Sequence, residues 1–248
     1  MKMVLHPNFL KLSPFIERIP ERFEQEGETI HKLRNEIKVM VHDGVFLNVK
    51  CYRKPHFINR LAYSYFRKSK AQRAYEHGLS LLEKGIGTPM PIAYVEIMDK
   101  RLIEKSYFVT LHIQNARDFR EFSDQSDVTD RKDILVAFGQ FAAKMHQLDV
   151  QPLDLSAGNI LFRKENEAVI FWLVDLNRMR FGRVGFNRAC RNFERLRGNT
   201  EYFKLLIQSY ANERGFDAGE FLKKVLVLKK KSERHFQKKQ QRKKRHAK

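Results

Sequence analysis

Alternating apolar and polar positions predict strands early in the chain, at residues 29–33, 36–42 and 45–52, with Asp43-Gly44 as a tight turn between the last two. The period then changes. Ala71, Ala74, Tyr75, Leu79, Leu81 and Leu82 recur at helical spacing between Ser69, a capping residue type, and Gly85, which predicts a helix over 69–84. Pro89 and Pro91 introduce two more strands, 92–98 and 107–113, parted by the polar turn Asp99-Lys100-Arg101. Helical spacing returns at 131–148, where Ile134, Leu135, Phe138, Phe141, Ala142 and Met145 form one apolar stripe, read as core and not as a cofactor box. The apolar runs 160–162 and 168–174 flank the polar turn 163–167 and predict a β-hairpin, and helices are expected at 187–196, 200–214 and 216–228.

Strands thus gather in the first half and helices in the second. The expected class is α+β and bilobal, with a small β-rich N-lobe carrying one helix and a mainly helical C-lobe. No repeat or long linker divides the chain, so one domain is the simplest reading: an N-terminal extension at 1–26, an N-lobe and hinge at 27–114, a C-lobe at 115–228 and a basic tail at 229–248. Pro7, Pro14 and Pro20 forbid one long helix in the extension and leave room for a short one at 14–19, in a segment expected to pack outside the catalytic core.

Composition adds little to the fold and more to partners and compartment. At 248 residues with 42% hydrophobic positions, the chain can bury a sizeable core. Its net charge is +19, and 229–248 holds eleven Lys or Arg against one acid, Glu233. Such a run is a solvated extension or an arm for anionic lipid or nucleic acid; nucleic acid is the weaker choice, since only Phe236 supplies an aromatic. Two cysteines 139 positions apart and nine histidines without ligand spacing argue against a zinc site and for a reduced compartment. No secretory signal and no apolar run of about 18 residues is visible, so a cytoplasmic protein that does not cross a membrane is expected.

The chemistry concentrates in two segments. Asp154 precedes Asn159 by five positions, the offset of a kinase catalytic loop, and the hairpin that follows leads to Asp175. Phosphoryl transfer needs one carboxylate near the acceptor hydroxyl and separate oxygen ligands for a divalent metal, roles that suit Asp154 in the first case and Asn159 and Asp175 in the second. Lys50, on the third predicted strand, occupies the place of the lysine that pairs with the α- and β-phosphates; Lys54 competes but lies past the strand, before Pro55. Glu76, in mid-helix, is the candidate to orient Lys50 by an ion pair, ahead of Glu83 near the helix end. Residues 110–114 would be the hinge whose backbone meets adenine. His146, in the last turn of its helix, reads as a helix-end partner and not as a catalyst.

With Asp-Leu-Ser-Ala-Gly-Asn-Ile-Leu at 154–161, Phe-Trp-Leu-Val-Asp-Leu-Asn-Arg at 171–178, Phe-Arg-Lys-Ser-Lys-Ala-Gln-Arg at 66–73 and Gly-Ile-Gly-Thr-Pro-Met-Pro-Ile-Ala-Tyr at 85–94, the chain resembles the lipopolysaccharide kinase family, the bacterial Kdo and heptose kinases of the protein-kinase-like superfamily, with Bacteroidetes-type members the most similar. The resemblance covers roughly 27–210. It implies ATP and Mg²⁺ as cofactors and a Kdo or heptose hydroxyl of the lipopolysaccharide core, or lipid A-core, as acceptor at the inner face of the cytoplasmic membrane. The basic tail would suit peripheral contact there.

Three departures stand out. Pro152-Leu153-Asp154 lacks the histidine that often braces the loop two residues before the catalytic Asp, with Pro152 a possible stiffener; Leu176-Asn177 replaces the Phe-Gly after the metal-binding Asp; and the turn at 33–35 lacks glycines, leaving Arg34 to supply charge to the phosphates. Two other readings stay open: a small protein or antibiotic kinase of the same fold, and a catalytically inactive scaffold whose basic tail binds nucleic acid or membrane.

Overall fold

A computed structural model describes residues 1–33, 35–122, 131–166, 168–196 and 200–246. The contacts divide the chain into two units, 1–115 with 173–178, and 116–172 with 179–248. The return of 173–178 to the first unit was not foreseen.

The first unit is built on a six-stranded antiparallel sheet. In chain order its strands are β1 (Lys2–Leu5), β2 (Glu28–Lys32), β3 (Asn35–His42), β4 (Val45–Tyr52), β5 (Pro91–Asp99) and β6 (Leu102–Leu111), in the spatial order β1-β5-β6-β4-β3-β2. The alternation that predicted β4 sorts its residues onto two faces. Leu47, Val49 and Cys51 are buried in an apolar cluster, while Lys50 and Tyr52 share the opposite face.

That cluster takes in much of the segment read as an N-terminal extension. Residues 7–25 fold as a 3-10 turn (Pro7–Leu12), α1 (Ser13–Glu17) and α2 (Ile19–Gln25), and each of Pro7, Pro14 and Pro20 stands in the first two positions of its element. A proline there gives up an N–H that has no helical partner anyway, so the prolines divide the segment into short elements, with no single long helix and a short one close to the expected 14–19. Leu12, Phe15, Ile16, Ile19 and Phe23 are buried against Met40, Leu47, Val49, Tyr107 and Val109, and Phe15 stacks on His42 at 4.5 Å. Each such side chain contributes about 1.5–3 kcal/mol when fully buried. The segment is therefore part of this core, and β1 adds an edge strand through its pairing with β5.

Between β4 and β5 lie α3 (Phe57–Leu61), a wide helical turn (Ala62–Phe66) and α4 (Lys70–Glu83). α4 begins where expected: Ser69 Oγ accepts from the Gln72 amide at 3.0 Å and caps it. It also packs closely. A Cβ on Gly78 would stand 2.6 Å from Pro91 Cγ and 3.3 Å from Leu176 Cδ1, so a side chain at this position would push the helix off the segment that carries Asp175.

The second unit contains β7 (Arg117–Asp118), α5 (Arg131–Gln147), β8 (Val150–Pro152), β9 (Ile160–Glu165), β10 (Ala168–Leu173), β11 (Met179–Phe181), α6 (Phe186–Asn192), α7 (Thr200–Arg214) and α8 (Ala218–His246). β9 and β10 are the predicted hairpin, joined by β7 into a three-stranded sheet. Phe119, Phe122, Phe138, Phe162 and Phe171 pack at its centre, with Phe119 and Phe138 ring centroids 4.5 Å apart. β8 and β11 form a separate two-stranded ladder on either side of the segment that carries Asp154, Asn159 and Asp175.

The tail boundary at 228 is also corrected, because α8 continues from Ala218 to His246 as one helix of 29 residues. After Gly219 the sequence has neither Gly nor Pro and is rich in Lys, Arg, Gln, Glu and Leu, all good helix formers. Phe221 and Val225 anchor its start in the core, and Lys229 lies over the Phe203 ring at 4.5 Å. Among the described residues no helix is long and apolar enough to cross a membrane.

Candidate active site

In the first unit, Lys50 Nζ donates to Asp175 Oδ1 at 2.6 Å, joining two residues 125 positions apart in sequence. Lys50 is 9% exposed, held by β4 on the face away from the apolar cluster. Asp175 sits on a short return segment that the unit ties down at three points. The Leu173 amide donates to Gly87 O at 2.9 Å, Thr88 Oγ1 donates to Leu173 O at 2.8 Å, and His77 Nδ1, on α4, meets Leu176 O at 2.7 Å. The backbone at Asp175 has φ +62°, a left-handed conformation that costs a residue with a Cβ, and such strain persists where surrounding contacts enforce it.

Asn177 Nδ2 donates to the same Asp175 Oδ1 that takes Lys50. Among the described residues, Oδ2 of Asp175 has no hydrogen-bond partner. The two donors thus orient the carboxylate and leave one oxygen for a cation. Tyr52, two residues along β4 from Lys50, lies beneath: Lys50 Nζ stands 5.3 Å from its ring centroid, and burial together with the nearby Asp175 pushes the phenol well above its ordinary pKa. Tyr52 and Asn177 were not singled out from sequence; the signal available was Tyr52 at i+2 of Lys50 on a strand.

The expected Lys50–Glu76 pair is not formed. Glu76 Oε2 accepts from Lys68 at 2.7 Å and Oε1 from Gln72 at 3.0 Å, so this carboxylate is engaged along its own helix and the segment before it, and Asp175 takes the lysine. Lys54 pairs with Glu104 at 3.1 Å, apart from Asp175's donors. Arg34 lies outside the described residues.

In the second unit, β8 ends at Pro152 and the chain turns through Asp154 into a 3-10 turn, Ala157–Asn159. Ser156 N donates to Asp154 O at 3.0 Å, and Asn159 closes the loop from its far end, its Nδ2 donating to the same Asp154 O at 3.0 Å. This fixes the Asn159 amide so that its Oδ1 is the atom left to accept or ligate. Arg195 Nη1 donates to Asp154 Oδ1 at 3.0 Å; the pair is partly exposed, so it orients the carboxylate more than it stabilises the fold.

The brace for this loop is a buried chain of hydrogen bonds. Asn192 Nδ2 donates to Pro152 O at 2.6 Å, Asn192 Oδ1 meets His146 Nε2 at 2.8 Å, and His146 Nδ1 meets the Tyr210 hydroxyl at 2.7 Å. The tautomer follows from the ends. A carbonyl only accepts, so Asn192 presents its oxygen to His146, Nε2 must carry the proton, and Nδ1 accepts from Tyr210, whose oxygen in turn accepts from Arg214 at 3.1 Å. The imidazole absent before Asp154 is thus supplied from α5 through Asn192. Its place at a helix end agrees with the sequence reading, but its partners are side chains.

Burial drives the His146 pKa down to about 4, from an ordinary 6.5. The unfolded chain therefore takes up the proton first as pH falls. The neutral imidazole's contribution, about 3 kcal/mol, is complete above pH ~6.5 and is lost between there and pH ~4. Urea unfolding of the wild type across this range is expected to show that loss, and His146→Gln is expected to be less stable at pH 7 while losing correspondingly less on acidification.

A carboxylate oxygen left without a hydrogen-bond donor, as Asp175 Oδ2 is among the described residues, is a donor type that suits a hard divalent cation. Among the described residues no group of three or more His, Cys, Asp or Glu could hold a metal ion.

The family described as the lipopolysaccharide kinase (Kdo/WaaP) family matches residues 24–211. A protein of Pasteurella multocida (strain Pm70), named 3-deoxy-D-manno-octulosonic acid kinase, is 28% identical over 144 residues, covering 55% of this chain and 59% of that protein. One of the same name from Mannheimia succiniciproducens is 27% identical over 124 residues, covering 48% of this chain and 49% of that protein. The chain thus matches about half the length of these curated relatives. Among solved structures, one described as WaaP in complex with acyl carrier protein superposes with a TM-score of 0.64 at 17% identity, over 96% of this chain and 99% of that one. A putative aminoglycoside phosphotransferase of Ralstonia eutropha gives 0.54 at 10% identity, over 82% and 80%. At these identities the likeness concerns the fold, which is the protein-kinase-like α+β fold expected from sequence.

Proposed function

This chain belongs to the lipopolysaccharide kinase (Kdo/WaaP) family, and from that premise we propose that it is an ATP-dependent phosphotransferase acting on a sugar hydroxyl, Kdo or heptose, of the lipopolysaccharide core. The observation that carries the reading is the contact between Lys50 and Asp175, which places the phosphate-binding cation type and the metal-binding carboxylate type together across 125 positions of sequence. The names of the two relatives support an acid sugar as acceptor.

In the proposed reaction the acceptor hydroxyl oxygen forms a bond to the γ-phosphorus, the bond to the bridging oxygen breaks, and ADP leaves. Asp154 takes the hydroxyl proton, held for the task by Arg195. Asp175 and Asn159 would hold Mg²⁺, which when bound supplies positive charge to the triphosphate. Lys50 neutralises the α- and β-phosphates. Arg34 is assigned to the phosphates from its place between β2 and β3 alone. Because Glu76 is engaged by Lys68 and Gln72, orienting Lys50 falls to Asp175. The basic tail, 229–248, is assigned to an anionic lipid surface on the cytoplasmic side, where each basic residue adds roughly 1 kcal/mol before screening.

An acceptor panel tests the reading. With γ-labelled ATP and Mg²⁺, label is expected in Kdo-lipid A or deacylated lipopolysaccharide core and not in casein or an aminoglycoside. Label in either of the latter alone would replace the sugar-kinase reading with that of a protein or antibiotic kinase.

A further inference from the structure

Beside the catalytic loop, the second unit contains a cavity of about 260 Å³ rimmed by Arg180, Arg188, Arg191 and Arg195, against a single carboxylate, Glu194. We propose that this pocket binds an anionic group of the acceptor, a carboxylate or a phosphate already on the sugar, and so selects acidic sugars. The proposal rests on the kinase reading for its acceptor but on the pocket's own chemistry for its ligand class.

The local sequence builds the cluster. Arg188 and Arg191 lie one turn apart on α6, Arg195 follows at i+4 in the 3-10 turn Phe193–Arg195, and Arg180 comes from β11, where it pairs with Gln151 of β8. The floor is firm: Leu155 is buried, and Asn192 is the residue that bonds Pro152 O and His146. Among the described residues neither Arg180 nor Arg191 has a carboxylate partner. Scattered arginines on a convex surface would be ordinary solvated side chains. Here four exposed arginines line one concavity whose lining includes a single acid, Glu194; Arg195 is shared with Asp154, and the remaining positive charge favours entry of an anion.

The position ties the pocket to the chemistry. Arg195 lines it and also donates to Asp154 Oδ1 at 3.0 Å, so an anion held by these arginines would sit next to the carboxylate assigned to the acceptor hydroxyl. The volume lies below the roughly 300–1,000 Å³ of pockets for drug-sized ligands, which suits one sugar unit better than an oligosaccharide.

The test is calorimetric titration of the full chain with 3-deoxy-D-manno-octulosonic acid, its carboxamide and inorganic phosphate. Wild type, Arg180→Gln/Arg191→Gln and a control outside the pocket lining, Lys223→Gln, are compared, with transfer from ATP assayed in parallel. The acid is expected to bind wild type and Lys223→Gln alike, and at least about tenfold more weakly to the double variant; the carboxamide should bind wild type as weakly as the acid binds that variant. Phosphate binding more tightly than the acid, with the same dependence on the arginines, would assign the pocket to a phosphate on the acceptor. Equal binding of acid and carboxamide, an acid affinity unchanged in the double variant, or no binding to wild type would overturn the proposal. Mg-ATP binding by the double variant reports its folding; if that is lost, Arg180→Lys/Arg191→Lys replaces it and must keep a preference for acid over carboxamide. Binding without transfer would sink the kinase reading and leave the pocket, and transfer indifferent to the arginines would do the reverse.

Discussion

Replacing Asp175 with alanine is expected to lower kcat by at least about 10³-fold and to weaken Mg-ATP binding together with it. Two losses combine. The carboxylate oxygen that has no hydrogen-bond partner among the described residues is the one assigned to the cation, and the other is the acceptor for both Lys50 and Asn177. Removing it leaves Lys50, 9% exposed, without its partner. A fully buried orphaned charge costs about 3–5 kcal/mol; with the Asp175 side chain 32% exposed, water offsets part of that, and a loss of stability nearer 1–2 kcal/mol is expected. Asp175→Asn separates the two effects. Its Oδ1 can still accept from Lys50, so urea unfolding should stay closer to wild type while transfer remains lost. Wild-type kcat in the asparagine variant would remove Asp175 from the proposed machinery.

Asp154→Asn is expected to behave differently. The substitution keeps an oxygen for Arg195 and leaves the backbone carbonyl that Asn159 bonds, so the loop should hold its shape. What disappears is the proton acceptor, worth about 10²–10⁴ in kcat. Mg-ATP affinity, the KM for ATP and stability should change little, since neither Lys50 nor Asp175 is touched. Equal loss of nucleotide binding in the two variants would contradict the division of labour between them.

Much of this was legible in the sequence, and the exceptions have physical causes. The strands around Lys50 and the helix from Ser69 follow local rules of alternation and capping, and the five-residue offset of Asp154 and Asn159 is a local loop property. The Lys50–Asp175 contact is long-range and was read only as two separate roles. Glu76 was misread because position on a helix does not say which neighbour claims a carboxylate: Gln72 at i−4 and Lys68 just ahead of the helix are nearer in sequence than any strand residue. The N-terminal prolines were weighed only as a bar to one long helix, and the apolar spacing of Leu12, Phe15, Ile16, Ile19 and Phe23 was the unused signal that the segment is buried. In the basic tail, charge was counted and helix propensity was not.

The loop brace shows the limit of motif reading most clearly. A pattern fixed on the residue two places before Asp154 found proline and recorded an absence. The fold instead braces the loop through His146, 8 positions earlier, with Asn192 as the link to Pro152. Asn192 has no distinguishing sequence signal; only the tertiary fold of the second unit brings it between a histidine and a carbonyl.

The most direct test of the central claim is phosphorus NMR of the wild-type protein with ATP, Mg²⁺ and deacylated Kdo-lipid A. The account predicts a new phosphomonoester resonance that grows as the γ-phosphate signal decays, and none when Mg²⁺ is removed by chelation. Intact ATP, or decay to inorganic phosphate alone, would contradict it.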